Sequence, residues 1–179
     1  MVYIISGEIG SGKTTRMLEL YSKAVLGTAD GLVSRKIYLG AGESSPVSLE
    51  GESRESEAGP IGYELLRLSN GESRVLVMLA SHYNGEFEKS FRFDRFVFSE
   101  DGFRFGEGVI EELLEDDSIS DIYIDEIGPI ELKGQGFCQI LHKALQTDKN
   151  LYLSVRSKCL DRVLERFGIE EGFCSHDKT

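Results

Sequence analysis

The fold of this 179-residue chain is decided by one stretch near its start, Gly7-Glu8-Ile9-Gly10-Ser11-Gly12-Lys13-Thr14. The stretch matches the pattern of a glycine, four residues of any kind, and then Gly-Lys-Ser/Thr. It follows a short apolar run, residues 2–5, which is typical of a strand buried on both faces. It precedes apolar residues at helical spacing, from Met17 to Val25. Strand, glycine-rich turn and helix in this order predict the opening of an α/β fold.

The residue types of this stretch suit the binding of a phosphate chain. Gly7, Gly10 and Gly12 would allow backbone N–H groups to converge on phosphate oxygens. The helix that begins near Lys13 would add the positive end of its dipole. Lys13 itself would contact the β and γ phosphates, and the Thr14 hydroxyl would ligate Mg²⁺. The alternative is an ordinary glycine-rich turn between a strand and a helix.

A second motif lies far along the chain, at the end of another apolar run, Ile122-Tyr123-Ile124-Asp125-Glu126. An aspartate after an apolar run is often only a turn or a helix cap. Because a phosphate-binding stretch lies upstream, we expect Asp125 to hold Mg²⁺, directly or through a water. Glu126 would then polarise an attacking water, since phosphoryl transfer needs an oriented nucleophile more than covalent chemistry. The alternative for Glu126 is a surface carboxylate.

The rest of the sequence predicts one domain, residues 1–179, in which a β-rich insert interrupts the alternating pattern. We expect the insert, residues 61–98, to be antiparallel within a mostly parallel sheet sandwiched by helices, and Ser69-Asn70-Gly71 predicts a hairpin turn. Its three strand-like runs are residues 61–68, 74–80 and 91–98. Residues 40–60 are rich in Gly, Ser, Glu and Pro, which predicts an exposed mobile loop, either a solvated insertion or a lid.

Composition excludes several classes of protein. Lys and Arg total 20 against 31 Asp and Glu, a net charge of −11, so a general nucleic-acid-binding protein, which needs a basic face, is not expected. No apolar run approaches the ~20 residues needed to span a bilayer, so no membrane association is expected. The three cysteines, Cys138, Cys159 and Cys174, form no CxxC pair and indicate neither a disulfide framework nor a zinc site. These features favour a cytoplasmic protein, and nothing in the sequence identifies a protein partner.

Taken together, the two motifs resemble those of the small P-loop nucleoside-triphosphatases first described from thermophiles. The likeness rests on Gly7–Thr15 and on the octet Asp125-Glu126-Ile127-Gly128-Pro129-Ile130-Glu131-Leu132. The octet is the more discriminating motif, because the glycine-rich loop is shared by many unrelated enzymes. Shorter similar segments at residues 31–34, 61–64 and 151–156 extend the likeness over most of the chain.

The resemblance implies an enzyme that hydrolyses nucleoside triphosphates, such as ATP or GTP, to diphosphate and phosphate with Mg²⁺ as cofactor. Lys13 and Glu126 would be the catalytic residues, and Thr14 and Asp125 would bind the metal. The implied nucleotide site comprises Gly7, Glu8, Ile9, Gly10, Ser11, Gly12, Lys13, Thr14 and Thr15 in one segment and Asp125, Glu126, Ile127, Gly128, Pro129, Ile130, Glu131 and Leu132 in the other.

Two other functions fit the same motifs. A nucleotide or small-molecule kinase would place an acceptor hydroxyl where the water lies, although Glu126 directly after Asp125 favours water. A nucleotide-dependent regulatory switch is suggested by Asp125-x-x-Gly128, the short motif with which switch GTPases sense the γ-phosphate, but the chain has no Asn-Lys-x-Asp guanine motif. Arg156, just after a predicted strand, would either stabilise the charge of the transferred phosphate or form a structural salt bridge.

Overall fold

The computed structural model describes residues 1–40 and 59–170, so almost all of the predicted loop at 40–60, and Cys174, lie outside the described residues. Within these ranges eight strands join in one sheet and four α-helices pack on it. The strands are β1 (Val2–Gly7), β2 (Ala29–Ile37), β3 (Gly62–Arg67), β4 (Ser73–Leu79), β5 (Ser90–Phe93), β6 (Phe96–Ser99), β7 (Asp121–Ile127) and β8 (Asn150–Arg156). The helices are α1 (Lys13–Tyr21), α2 (Glu100–Glu115), α3 (Cys138–Ala144) and α4 (Leu160–Phe167), and the short 3-10 helices are Glu131–Lys133 and Ser157–Cys159.

The sheet has a parallel half and an antiparallel half. Its strand order is β1-β8-β7-β2-β3-β4-β6-β5. The pairings from β1 to β2 are parallel, and those from β2 to β5 are antiparallel. The predicted α/β fold with an antiparallel insert is confirmed. The insert is larger than expected, because antiparallel contacts make up four of the seven pairings in the described ranges.

Helices cover both faces of the parallel half, which explains the uninterrupted apolar runs of its strands. Ile4 and Ile5 are adjacent in β1 and both are buried, but they face opposite sides of the sheet. Ile4 belongs to the large core that includes residues of α2, α3 and α4, and Ile5 packs in a smaller core with Met17 of α1. In the described residues no helix is both long and apolar enough to cross a membrane.

A row of stacked tyrosines joins three neighbouring strands on the α1 side of the sheet. Tyr3, Tyr152 and Tyr123 are in register across β1, β8 and β7. Their ring centroids lie 4.6 and 4.4 Å apart, and Tyr21 of α1 packs edge-on against Tyr123 at 5.6 Å. These contacts fix α1 relative to the strands whose ends form the site described below.

One predicted strand is two strands in the structure. The run at 91–98 was expected to be continuous, but it forms the hairpin of β5 and β6. Asp94 lies at the turn with φ 55°, in the left-handed region that aspartate tolerates better than most residues. Aromatic residues alternate on both sides of the turn, at 91 and 93 and again at 96 and 98, but the adjacent polar residues Asp94 and Arg95 interrupt the alternation where the chain turns.

Candidate active site

The glycine-rich loop connects β1 to α1 at the carboxyl edge of the parallel strands. Gly10 and Gly12 have φ of 79° and 86°, a conformation that favours glycine. Gly7 differs, because a Cβ there would crowd the Ser11 side chain, whose Cβ would lie 3.2 Å away and whose hydroxyl would have to move. Gly12 caps α1 without a side-chain hydrogen bond, and the first turn of α1 contains no acidic residue. The first N–H groups of α1 are therefore available to an anion.

The Lys13 ammonium and the Ser11 hydroxyl have few hydrogen-bond partners within the glycine-rich loop. The Lys13 side chain is buried, with 6% exposed, and its Nζ donates to the Glu8 carbonyl oxygen at 2.9 Å. No carboxylate in the described part of the chain forms an ion pair with it. The Ser11 hydroxyl is also buried and has no hydrogen-bond partner among the described residues. A buried cation and an unpaired hydroxyl on one loop suit a phosphate ligand.

Asp125 joins this loop to the end of β7. It is 2% exposed, and its Oδ2 accepts hydrogen bonds from the Thr14 hydroxyl at 2.7 Å and from the Ser34 N–H at 3.1 Å. Its Oδ1 accepts from the Ser154 hydroxyl and from the Glu126 N–H at 3.0 Å. The contact between Thr14 and Asp125 brings the two predicted metal ligands together. Ser34 and Ser154 are additions that the sequence did not reveal.

The Thr14 and Asp125 oxygens fit a magnesium ion. Adjacent ligands of an octahedral Mg²⁺ at about 2.0–2.1 Å lie about 2.9 Å apart, close to the 2.7 Å between Thr14 Oγ1 and Asp125 Oδ2. The described residues contain no cluster of three or more His, Cys, Asp or Glu that would hold a metal by themselves. Mg²⁺ commonly uses one or two protein oxygens together with water and substrate phosphates. Its binding here stays a prediction.

Glu126 lies at a bulge in β7. The pairing of β7 with β8 shifts register between Ile124 and Ile127, and Glu126 has φ 66°, which is strained for a residue with a side chain. Its N–H is held by Asp125 Oδ1 and, at 2.9 Å, by Ser154 Oγ. A bulge at the end of a strand redirects a side chain. The Glu126 side chain is 35% exposed, so it is not a fully solvated surface carboxylate.

The groups around Glu126 have opposing effects on the pKa of its carboxyl. Burial raises the pKa of the Glu126 carboxyl above its usual range, and the neighbouring Asp125 carboxylate adds to that rise. The positive charges of Arg156 and Lys13 lower this pKa. An Arg156 guanidinium nitrogen lies 3.4 Å from Glu126 Oε2, so Arg156 forms an ion pair at the site and not with a distant structural partner.

The segment after Glu126 is organised around a second buried carboxylate. Glu131 is 3% exposed and accepts hydrogen bonds from the Gly128 N–H at 2.9 Å and the Phe137 N–H at 3.3 Å. Burial raises the pKa of Glu131 to about 7, although the backbone hydrogen bonds oppose the rise. Glu131 therefore fixes the turn that follows the bulge.

The other residues of the predicted site differ in their surroundings. Glu8, Ile9, Gly10 and Thr15 are exposed around the loop. Pro129 and Ile130 line a cavity beside Glu126. Ile127 is fully buried in the core and Leu132 packs against it, so the structure places these two behind the site. A direct contact of Ile127 with a ligand would require the core to open.

The cavity beside Glu126 has a volume of about 280 Å³. Its polar lining residues are Ser34, Asp94, Asp125, Glu126, Glu131, Arg156 and Lys158, and its aromatic lining residues are Tyr63, Phe93, Phe96, Phe98, Phe103 and Phe137. Asp125 and Glu126 lie on β7, whereas Phe93, Phe96 and Phe98 lie on β5 and β6, with β2, β3 and β4 between them in the sheet. We call it the aromatic cavity. The sequence signal for it was the repeated phenylalanines at 91–98, which predicted only a strand.

Comparisons with known proteins agree with this architecture. A family model described as NTPase matches residues 49–177, which include the Asp125–Leu132 segment but begin after the glycine-rich loop. The chain is 29% identical over 163 residues to nucleoside-triphosphatase THEP1 of Pyrococcus abyssi (strain GE5 / Orsay). The matched region covers 90% of this chain and 78% of that protein.

Two solved structures share the fold. The crystal structure of THEP1 from the hyperthermophile Aquifex aeolicus has a TM-score of 0.66 at 17% identity, covering 99% of this chain and 89% of the other. The solution structure of a human cancer-related nucleoside triphosphatase has a TM-score of 0.62 at 18% identity, covering 99% and 87%.

Proposed function

The chain belongs to the NTPase family whose model matches residues 49–177 and is therefore a nucleoside-triphosphatase, and we propose that it uses Mg²⁺ to hydrolyse nucleoside 5'-triphosphates to diphosphate and phosphate. In this proposal Glu126 is the residue that activates water. The observation that carries this proposal is the hydrogen bond between Thr14 and Asp125. It brings the glycine-rich loop against the end of β7, where Glu126 is the next residue.

The loop and α1 would bind the triphosphate. Backbone N–H groups of the loop and of the first turn of α1 would surround the phosphate oxygens. Lys13 would exchange its hydrogen bond to the Glu8 carbonyl for contacts to the β and γ phosphates, which a mobile ammonium can make without moving the backbone. The Ser11 hydroxyl, which lacks a partner in the described chain, would gain one.

Thr14 and Asp125 would hold Mg²⁺, which when bound supplies positive charge against the oxygens of the β and γ phosphates. Glu126 lies beyond Asp125, with its backbone fixed by Asp125 and Ser154. From there its carboxylate would orient a water and accept the proton as the water attacks phosphorus. Arg156, 3.4 Å from Glu126, would orient this carboxylate and lies where it could meet charge on the transferred phosphate.

Phosphate release tests this proposal most simply. We expect the protein to release phosphate from ATP, GTP, CTP or UTP, with no acceptor added, and to stop when Mg²⁺ is removed by a chelator. Lys13→Ala should bind nucleotide more weakly and lose turnover, because a charge-assisted contact is removed from the phosphate site. Lys23→Ala is the matched control, since Lys23 is exposed in the turn after α1.

Two outcomes would count against the proposal. Full activity of Lys13→Ala would mean that hydrolysis occurs elsewhere on the protein. Release that begins only after an alcohol acceptor is supplied would favour a kinase, which turns over slowly without its acceptor.

A further inference from the structure

We propose that the aromatic cavity binds a second small molecule through a flat aromatic ring, on the side of the γ-phosphate from which the nucleophile attacks. The position of this ligand relative to the γ-phosphate rests on the proposed function, whereas the binding of its ring in the cavity does not. This ligand is distinct from the nucleoside triphosphate, and the two would be bound at the same time in neighbouring sites.

The walls of the cavity suit a flat ring. Phe98 and Phe103 are stacked with centroids 5.8 Å apart, and Phe137 meets Phe103 edge-on at 5.3 Å. Leu76 and Val77 of β4 add aliphatic surface. Aromatic rings prefer stacked and edge-on neighbours, and a further ring entering this cluster would find both.

The size of the cavity also favours a ring. An apolar cavity of about 150 Å³ is known to accommodate benzene, so about 280 Å³ leaves room for a bicyclic ring. The cavity is open to solvent, so a ring that enters it leaves water and buries its apolar surface against the rings that line the cavity.

The cavity has a polar end and an apolar end, which sets the orientation of the ligand. The carboxylates of Asp125 and Glu126 lie on β7 and the rings of Phe96 and Phe98 on β6, with three strands between them in the sheet. A bound molecule would place its ring among the phenylalanines and a polar group, such as a hydroxyl, toward β7, beyond the water that Glu126 orients in the proposed mechanism. Small-molecule sites commonly combine an apolar wall with a few convergent polar groups in this way.

The base of the nucleotide is not the expected occupant. Phosphoryl transfer is in line, so the attacking oxygen approaches the γ-phosphate opposite the leaving diphosphate. Glu126 marks the attacking side in the proposed mechanism, and the rings lie beyond it in the same cavity. In that mechanism the nucleoside would leave with the diphosphate, on the side of the γ-phosphate away from Glu126. The ring therefore belongs to a second molecule.

Fluorescence titration with 2-naphthol, a bicyclic ring with one hydroxyl, tests the proposal on the full chain. The protein contains no tryptophan, so emission excited in the naphthol band reports the probe alone. We expect saturable binding of one probe per chain without nucleotide, and retention of the probe when ADP is added. Displacement by ADP would overturn the proposal, because the cavity would then take the nucleotide base.

Two substitutions on β4 provide a matched pair. Val77→Phe adds a ring inside the cavity, and Val75→Phe adds the same ring to an exposed position on the same strand. Val77→Phe should weaken probe binding by at least ~10-fold, and Val75→Phe should leave it unchanged. If Val77→Phe fails to fold, Phe93→Ala decides, since Phe93 is only partly buried and lines the cavity. It should weaken binding several-fold.

Equal probe binding by the wild type and by the cavity variants would overturn the proposal, as would the absence of saturable binding. Lys13→Ala separates this proposal from the proposed function. Naphthol binding that persists in Lys13→Ala, together with loss of phosphate release, would support both. Naphthol binding by a wild-type protein that releases no phosphate would leave the cavity site standing and remove the hydrolytic mechanism.

Discussion

At the scale of single residues, Asp125 joins three parts of the site, because it accepts hydrogen bonds from Thr14 of α1, Ser34 of β2 and Ser154 of β8. The sequence indicated Thr14 and Asp125 as metal ligands, and the structure brings their oxygens to 2.7 Å. It did not indicate Ser34 and Ser154, which also bind Asp125. A serine inside an apolar strand has no local signal. Only the pairing of β7 with β2 and β8 brings these two to the aspartate.

Glu131 should make stability depend on pH. Its carboxyl has a pKa of about 7 in the folded protein against an ordinary value of 4.5. Between these values the folded state holds a proton that the unfolded state has lost, so the free energy of unfolding falls as pH rises. At about 1.4 kcal/mol per pH unit the total fall is about 3 kcal/mol.

Glu131→Gln should not show this fall, because glutamine does not titrate. Urea unfolding between pH 4.5 and 7.5 would measure the difference in slope between the variant and the wild type. Glu165→Gln, at an exposed position on α4, should follow the wild type. Parallel curves for wild type and Glu131→Gln would show that Glu131 titrates normally.

At the scale of elements, α2 shows where tertiary packing overrides local propensity. Three glycines, Gly102, Gly106 and Gly108, weaken the local helical signal over its first three turns. The helix begins at Glu100, capped by the Ser99 hydroxyl, which accepts from the Gly102 N–H at 3.1 Å. Gly102 and Gly106 allow α2 to lie close to β4 and to Phe137. These contacts join distant parts of the chain, so the sequence of the helix alone does not reveal them.

Gly106 and Gly108 give opposite predictions on the same helix. A Cβ at Gly106 would lie 2.6 Å from the Phe137 ring, whereas a Cβ at exposed Gly108 would meet nothing within 4 Å. Gly106→Ala should therefore destabilise the protein by about 1–3 kcal/mol through overpacking. Gly108→Ala should stabilise it by about 0.5–1 kcal/mol, since alanine is the better helix former. Denaturant unfolding measures both, and a stabilised Gly106→Ala would mean that α2 lies further from Phe137.

At the scale of the whole molecule, the site depends on a strand order that sequence patterns do not predict. The ends of β1, β8, β7 and β2 are adjacent in the sheet although they are far apart in the chain. Two of these ends carried recognisable motifs, and the α/β class followed from them. The position of β8 between β1 and β7, which places Ser154 and Arg156 at the site, depends on long-range packing of similar apolar strands.

Charge is also distributed unevenly over the molecule. The chain has a net charge of −11, yet Lys13, Arg156 and Lys158 lie at the carboxyl edge beside Asp125 and Glu126. The overall field should repel a polyanion. The local cations and a bound Mg²⁺ would offset this repulsion for one triphosphate.

The most direct test of the central claim is Glu126→Gln, measured by steady-state hydrolysis and by calorimetric titration with Mg·ATP. The substitution keeps the size of the side chain but removes the charge that draws the proton from water. The variant should bind Mg·ATP as well as the wild type and hydrolyse it at least ~100-fold more slowly, because general-base assistance is worth ~10²–10⁴-fold. Asp125→Asn should lose affinity and metal dependence together. A near-normal kcat for Glu126→Gln would contradict the assignment of Glu126 as the residue that activates water.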